Sequence, residues 1–203
     1  MRTLDSANHS RCVLRPCSGC VCTCNTGYTG ADCGMAPVGE LPPELYIVAI
    51  ADPNDNLNAR FVEIFNPSCE AIDFGASGSS TYKLGRYTNG NTYRSTSNDI
   101  LLSGSLLGRS SMIICATSAE FQIAYDPLVC NVEGGTGGPV DSNGDDNIVL
   151  IKDDIEIDIF GVVGEDGTNG PHEFEDGQAR RIVAGESPML SSTSVHPQNY
   201  LID

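Results

Sequence analysis

The segment NIVLIKDDIEIDIF, residues 147–160, decides the fold class. Its first half is a short run of aliphatic and β-branched residues, which is typical of a buried strand. Its second half, Ile155–Phe160, places three isoleucines on one face and two acidic residues with a phenylalanine on the other, the period-two pattern of a half-buried strand. Lys152-Asp153-Asp154 lies between the halves, and the whole segment therefore predicts a β-hairpin.

Similar short apolar segments, separated by Gly, Asn, Asp and Ser, recur upstream of this hairpin. The predicted strands are Leu45–Ala51, Phe61–Phe65, Tyr82–Tyr87, Ile100–Leu102, Met112–Cys115, 147–151 and Ile155–Phe160. About seven short strands with almost no helix predict a mainly β protein, an antiparallel β-sandwich of immunoglobulin-like build.

One short helix is predicted between these strands. Thr117 and Glu120 have the spacing of a capping box, and Phe121 and Ala124 follow on one side. The Asp126–Pro127 pair then ends the helix, because proline cannot continue the backbone hydrogen bonding.

Composition divides the chain into five parts and restricts its partners. The net charge of −16 disfavours binding to nucleic acid or anionic lipid, and no apolar run approaches the ~20 residues of a membrane span. The parts are a lead-in at 1–11, a cysteine-rich module at 12–33, a Gly/Pro-rich linker at 34–43, the strand-rich region 44–184 and a polar tail at 185–203.

Nine cysteines in 203 residues indicate an oxidising compartment, so we expect an extracellular or cell-surface location. Residues 1–6 lack the apolar core of a signal peptide. We therefore interpret the sequence as a mature product or a fragment of a longer precursor.

The most specific motif is Cys22-Thr-Cys24-Asn-Thr-Gly27-Tyr28-Thr-Gly30-Ala-Asp-Cys33, a C-x-C-x5-G-x2-C spacing. It resembles the EGF-like family, in which disulfides replace a core that so few residues cannot build. The resemblance implies the pairings Cys12–Cys20, Cys17–Cys22 and Cys24–Cys33. Only Val21 separates Cys20 from Cys22, which departs from the family pattern. A zinc site using Cys17 and Cys20 is the alternative.

Three cysteines lie outside this module. Cys115 and Cys130 flank the predicted helix, so a disulfide between them would tie the helix to the sandwich. Cys69 is then the odd cysteine, and an inter-chain or inter-module bond, a free thiol and a buried small apolar side chain are the alternatives for it.

The strand-rich region resembles the lamin-tail family in its extracellular form. The resemblance rests on residues 45–53 followed by Arg60-Phe-Val-Glu-Ile-Phe-Asn-Pro67, on 143–152, and on 157–167 with 175–180. Its most diagnostic element is V-E-x-x-N-P at 62–67. The family implies an immunoglobulin-like β-sandwich without catalytic machinery that serves in binding or assembly, and it implies no particular ligand.

Calcium is the candidate cofactor, because two segments are dense in hard oxygen donors. The candidate ligands are Asp52, Asn54, Asn56, Asp141, Asn143 and Asp145. Leu57 stands where an EF-hand loop needs glycine, so we do not expect an EF-hand. Turn-forming loops without metal are the alternative interpretation.

Two functions from different classes remain. The first is a non-catalytic structural subunit of an extracellular assembly, such as a surface filament, flagellar hair or matrix, which self-associates or binds another extracellular protein. The second is a monomeric binding or adhesion module for a glycan or a surface protein. An enzyme is not expected, because His9, His172 and His196 form none of the standard catalytic motifs. Asn8 lies in an N-glycosylation triplet.

Overall fold

The computed structural model describes residues 44–54 and 56–181 with their side chains, and the backbone of strands at 10–15, 19–24 and 200–202. These residues are mainly β, and every strand pair among them except one is antiparallel. The elements are β1 Ser10–Arg15, β2 Gly19–Cys24, β3 Tyr46–Ala51, β4 Phe61–Phe65, β5 Ile72–Phe74, β6 Tyr82–Tyr87, β7 Ile100–Leu101, β8 Gly104–Leu106, β9 Ser111–Cys115, α1 Ser118–Tyr125, β10 Val132–Glu133, β11 Asn147–Lys152, β12 Ile155–Phe160, β13 Gln178–Arg181 and β14 Tyr200–Ile202.

Two sheets enclose the main hydrophobic core. The larger sheet has the strand order β10-β9-β4-β3-β13-β14, and the smaller has the order β12-β11-β6-β7. Ile50 and Val62 of the first sheet belong to the same buried cluster as Leu84, Ile148 and Leu150 of the second. Since one core takes side chains from both sheets, the arrangement is consistent with a β-sandwich, and the predicted mainly β class is confirmed.

Each of the seven predicted strands is present, as β3, β4, β6, β7, β9, β11 and β12. The predicted helix is also confirmed: α1 follows Thr117 and ends at Tyr125, immediately before the cis Asp126–Pro127 bond. The predicted capping box does not form, because the Thr117 side chain makes no capping hydrogen bond. The Ser118 backbone N–H instead donates to Glu133 Oε2 at 2.8 Å, so a carboxylate from β10 caps the helix.

The predicted hairpin joins β11 to β12 through Asp153 and Asp154, whose φ angles are 48° and 64°. Two successive left-handed residues define the type I′ turn, which suits the twist of a two-residue hairpin. The buried face of β12 is the one that carries Asp158 and Phe160, whereas Ile155 is 68% exposed. Asp158 is buried because it has a partner in the core, described below, whereas Glu156 on the same face is exposed.

A second apolar cluster lies where helix α1 packs on the larger sheet. The Phe61 ring meets Phe121 and Tyr125 of the helix edge-on, with centroids 5.5 and 5.1 Å apart. The predicted disulfide Cys115–Cys130 is present, with an S–S distance of 2.01 Å. It ties the end of β9 to the segment that follows the helix, as the sequence suggested.

Cys69, predicted as the odd cysteine, is disulfide-bonded, which excludes the free thiol and the buried unpaired side chain and leaves the alternative of a bond. Since Cys115 and Cys130 pair with each other, the partner of Cys69 lies outside the described side chains. The strand pair β1–β2 is antiparallel and sets Cys12 opposite Cys22 in its register. The side chains of the predicted pairs Cys12–Cys20, Cys17–Cys22 and Cys24–Cys33 fall outside the described residues, as does Asn8.

Candidate functional site

The predicted calcium ligands lie in two loops of the β-rich region. Asp52 follows β3 and is buried, and Asp145 precedes β11 and is also buried. Asn54 and Asn143 are exposed. The structure therefore brings only some of the six predicted donors into the interior of the loops.

An arginine joins the two loops. Arg60 Nε lies 2.6 Å from Asp52 Oδ1, and Arg60 Nη1 lies 2.9 Å from Asp141 Oδ1. A guanidinium thus stands between two carboxylates that the sequence suggested for a cation. The positive charge that neutralises Asp52 and Asp141 is supplied by the chain itself.

A second arginine extends this arrangement to Asp146. Arg86 Nη1 donates to Asp146 Oδ2 at 3.1 Å and to the Asp141 carbonyl oxygen at 3.0 Å. Burial raises the pKa of Asp146, and the charge of Arg86 opposes that rise. We call Asp52, Arg60, Asp141, Arg86 and Asp146 the arginine network.

Backbone N–H groups bind the second carboxylate oxygen of Asp141 and of Asp146. The Gly137 N–H donates to Asp141 Oδ2 at 2.6 Å, and the Asn89 N–H donates to Asp146 Oδ1 at 2.9 Å. Both oxygens of Asp141 and both oxygens of Asp146 therefore have donors. The network accordingly holds separate segments of the chain together, and its bound carboxylate oxygens are not free to coordinate a metal ion.

Asp145 differs from its neighbours because one of its oxygens is buried without a hydrogen-bond partner among the described residues. The other oxygen, Oδ2, accepts from Asn89 Nδ2 at 3.1 Å and from Thr168 Oγ1 at 3.3 Å. Within the part of the chain that the structure describes, no three His, Cys, Asp or Glu side chains form a group that could hold a metal. A calcium site therefore stays a prediction.

Two further residues, Asn147 and Gly144, stabilise the loops before β11 and after β12. Buried Asn147 accepts a hydrogen bond from the Val162 N–H at 2.9 Å and donates to the Glu165 carbonyl at 3.0 Å. Gly144 has φ 97°, and a Cβ there would lie 2.3 Å from the Glu175 nitrogen. Only glycine fits this turn, which the Asn143-Gly144 pair foreshadows.

His172 lies buried in the segment between β12 and β13. It is 1% exposed, and neither ring nitrogen has a hydrogen-bond partner among the described residues. Its ring stands edge-on to Phe160 at a centroid distance of 6.3 Å. Burial lowers the pKa of His172, against the opposing charges of Glu165, Asp166 and Glu173. The neutral imidazole is thus the form that the fold favours.

The most deeply buried ion pair lies at a corner between the two sheets. Arg181 Nη2 contacts Asp158 Oδ1 at 2.7 Å and Oδ2 at 2.6 Å, and the two side chains are only 3% and 2% exposed. Asp158 Oδ2 accepts from the Ile47 N–H at 2.7 Å, while Arg181 Nε donates to the Ile47 carbonyl at 2.7 Å. We call Ile47, Asp158 and Arg181 the clamp.

The clamp stands where ordinary strand pairing is interrupted. The β3–β4 register shifts between Ile47 and Ala49, and the β3–β13 pairing runs from Gln178 to Arg180 and stops short of Arg181. Side-chain groups of Asp158 on β12 and Arg181 on β13 bind the N–H and the carbonyl of Ile47. The clamp therefore fastens β3, β12 and β13 together.

Among the described residues, no helix has the length and apolar character needed to cross a bilayer. Comparison of the chain with models of known protein families finds no match, and comparison with curated protein sequences finds no significant match. The EGF-like and lamin-tail resemblances therefore stay predictions.

Proposed function

We propose that this chain is a non-catalytic structural subunit of an extracellular assembly, such as a surface filament, a flagellar hair or a matrix. The observation that carries the proposal is how the protein uses its conspicuous acidic residues. Asp52, Asp141, Asp146 and Asp158 all hold arginines that connect separate segments of the fold. Carboxylates that are used to hold segments of the fold together suit a structural protein, whose role is to keep a fixed shape.

The disulfides support an extracellular location. Cys115–Cys130 cross-links the β-rich region, and Cys69 is disulfide-bonded as well. Such cross-links persist in oxidising compartments and are rare in the cytosol. Covalent ties of this kind also suit a protein that bears load outside the cell.

In this proposal residues 12–33 are an EGF-like module and residues 44–184 a lamin-tail-like domain of immunoglobulin-like build. Support for the second comes from Asn66 of the V-E-x-x-N-P element, which is buried. Asn66 Nδ2 donates to the Glu70 carbonyl at 2.8 Å, and Asn66 Oδ1 accepts from the Ser68 N–H at 3.0 Å. The motif residue therefore organises the loop after β4, as expected of a structural signature.

Electron microscopy of the native purified protein tests the assembly role, run beside gels with and without reductant. We expect regular filaments or sheets, and a ladder of bands that collapses when reductant is added if copies are joined by disulfides. The control is the same preparation after calcium chelation, which separates a calcium requirement from assembly itself.

Monodisperse monomers at native calcium and salt, across a concentration series, would contradict the assembly role. That result would favour the second candidate, a monomeric binding module for a glycan or a surface protein.

A further inference from the structure

Strand β14 completes the larger sheet from a distant part of the chain. It pairs antiparallel with β13, setting Ala179 opposite Ile202, Arg180 opposite Leu201 and Arg181 opposite Tyr200. On its other side β13 pairs with β3. Without β14, β13 would be the edge of the sheet, with one row of backbone donors and acceptors facing outward.

Strand β13, which receives β14, is fixed to the rest of the fold. Ala179 is fully buried, and Arg181 is held in the clamp by Asp158 and the Ile47 peptide. β13 therefore keeps its position whether or not a strand lies beside it. It presents a preformed edge that an extended segment can join through main-chain hydrogen bonds.

Strand β14, which is added to the sheet, is attached differently. β14 pairs over only three residues, a short run for a strand, so the pairing itself contributes little stability. Residues 182–199, 18 in number, connect it to β13. Fully extended, such a connection reaches up to about 60 Å, more than the width of a small domain. Its length therefore allows β14 to join β13 of its own chain or of a neighbour.

We propose that in the assembly β14 of one copy pairs with β13 of the next copy, so that a second copy of this chain is the occupant of the β13 edge. The inference rests on the proposed assembly function. A connection of this length gives a local concentration of β14 in the millimolar range, and neighbours packed in an assembly reach comparable concentrations. Because strand β14 and the edge of β13 are different surfaces, the contact is head-to-tail and can propagate along a filament.

Mixed-isotope photo-crosslinking tests the exchange. A heavy-isotope chain carries a photo-reactive phenylalanine analogue at position 200 or, separately, at 201, because adjacent strand residues point to opposite faces. It is mixed with an excess of light chain without the probe, assembled and irradiated. A probe at exposed Ile123 on helix α1 is the matched control.

We expect heavy–light products that join position 200 or 201 to residues 178–181, and none of these from the Ile123 control. The heavy–light fraction of all products that join these positions should rise roughly fivefold between about 0.1 and about 1 mM protein, because intrachain pairing dominates in dilute solution. Assemblies in which these products are only heavy–heavy would overturn strand exchange and leave the assembly function standing. Absence of any assembly would overturn both.

A competing peptide provides a second measurement on the unmodified protein. Excess peptide with the sequence of residues 198–203 should occupy β13 and shorten the assemblies several-fold. The control peptide carries proline at the positions of Tyr200 and Leu201, which removes the backbone donors. Equal assembly lengths with both peptides would count against the exchange.

Discussion

The clamp and the arginine network use the same chemistry in different surroundings. In the clamp, Arg181 and Asp158 are 3% and 2% exposed, and both also bind the Ile47 peptide. In the arginine network, Arg60 and Asp141 retain 16% and 19% exposure. The clamp joins strands of the sandwich, whereas the network joins loops at its end.

The difference teaches how burial sets the consequence of losing one partner. A buried carboxylate that loses its arginine keeps its desolvation cost with nothing to offset it. In the network, Asp141 keeps the Gly137 N–H as a donor and is 19% exposed, whereas Asp52 and Asp146 are only 5% and 2% exposed. Because Arg60 and Asp141 are more exposed than Arg181 and Asp158, we expect the loss of Arg60 to destabilise the fold less than the loss of Arg181.

The largest effect is expected from Arg181→Met. The substitution leaves the buried Asp158 carboxyl without its counter-ion, and breaking a buried ion pair in this way typically lowers the free energy of unfolding by about 3–5 kcal/mol. Chemical denaturation measures it, with exposed Arg180→Met as the matched control. Equal stabilities for the two variants would show that the clamp contributes nothing.

Arg60→Met should have a smaller effect, a loss of about 1.5–3 kcal/mol, which is the usual contribution of hydrogen bonds to charged groups. Asp141 keeps the Gly137 N–H as a donor, which limits the damage. The same denaturation experiment measures the change. A loss as large as that of Arg181→Met would erase the contrast between the two regions.

His172 makes the stability of the fold sensitive to pH. Because the folded-state pKa is lowered from 6.5, the unfolded chain binds the proton more readily, and stability should fall as pH drops below about 6.5. Each full pH unit by which burial lowers this pKa corresponds to about 1.4 kcal/mol. Denaturation between pH 7.5 and 5 measures the slope.

His172→Phe is the control for this slope, since it fits beside Phe160 and removes the titrating group. The variant should lose the part of the pH dependence that lies just below 6.5. If wild type and variant show the same slope there, His172 is not the responsible group.

The smallest effect is expected from Lys83→Met. Lys83 Nζ lies 2.7 Å from Asp154 Oδ1, but the two side chains are 30% and 85% exposed. Exposed pairs of this kind contribute about 0–1 kcal/mol, so we expect a change of no more than about 0.5 kcal/mol, reduced further by salt. A loss above about 2 kcal/mol would mean that exposure does not rank these ion pairs.

Much of the fold was predictable because its signals are local. β4, β11 and β12 are marked by runs of β-branched and aromatic residues, and Asp126–Pro127 marks the end of α1. β13 carries no such signal, since Gln-Ala-Arg-Arg contains no β-branched or aromatic residue. It is a strand because the edge of β3 and the clamp hold it there, which only the tertiary structure reveals.

The sequence predicted which residue types form the candidate site, but it did not predict that arginines would pair with the carboxylates. The sequence shows that Asp52 and Asp141 are oxygen-rich positions, yet the two lie 89 positions apart in the chain. Arg60 stands between them only after the loops are brought together. Likewise, burial of Arg181 runs against the usual preference of arginine for the surface, so its partner Asp158 had no distinguishing mark.

The clamp also sets an order on folding. Ile47 meets Asp158 across 111 positions of sequence and Arg181 across 134. Contacts between such distant residues carry a large loop-closure cost and form slowly. β3 is synthesised early, but the hydrogen bonds of Ile47 to Asp158 and Arg181 can form only after nearly the whole domain has been made. The nascent chain therefore remains open at this corner until residue 181 has emerged.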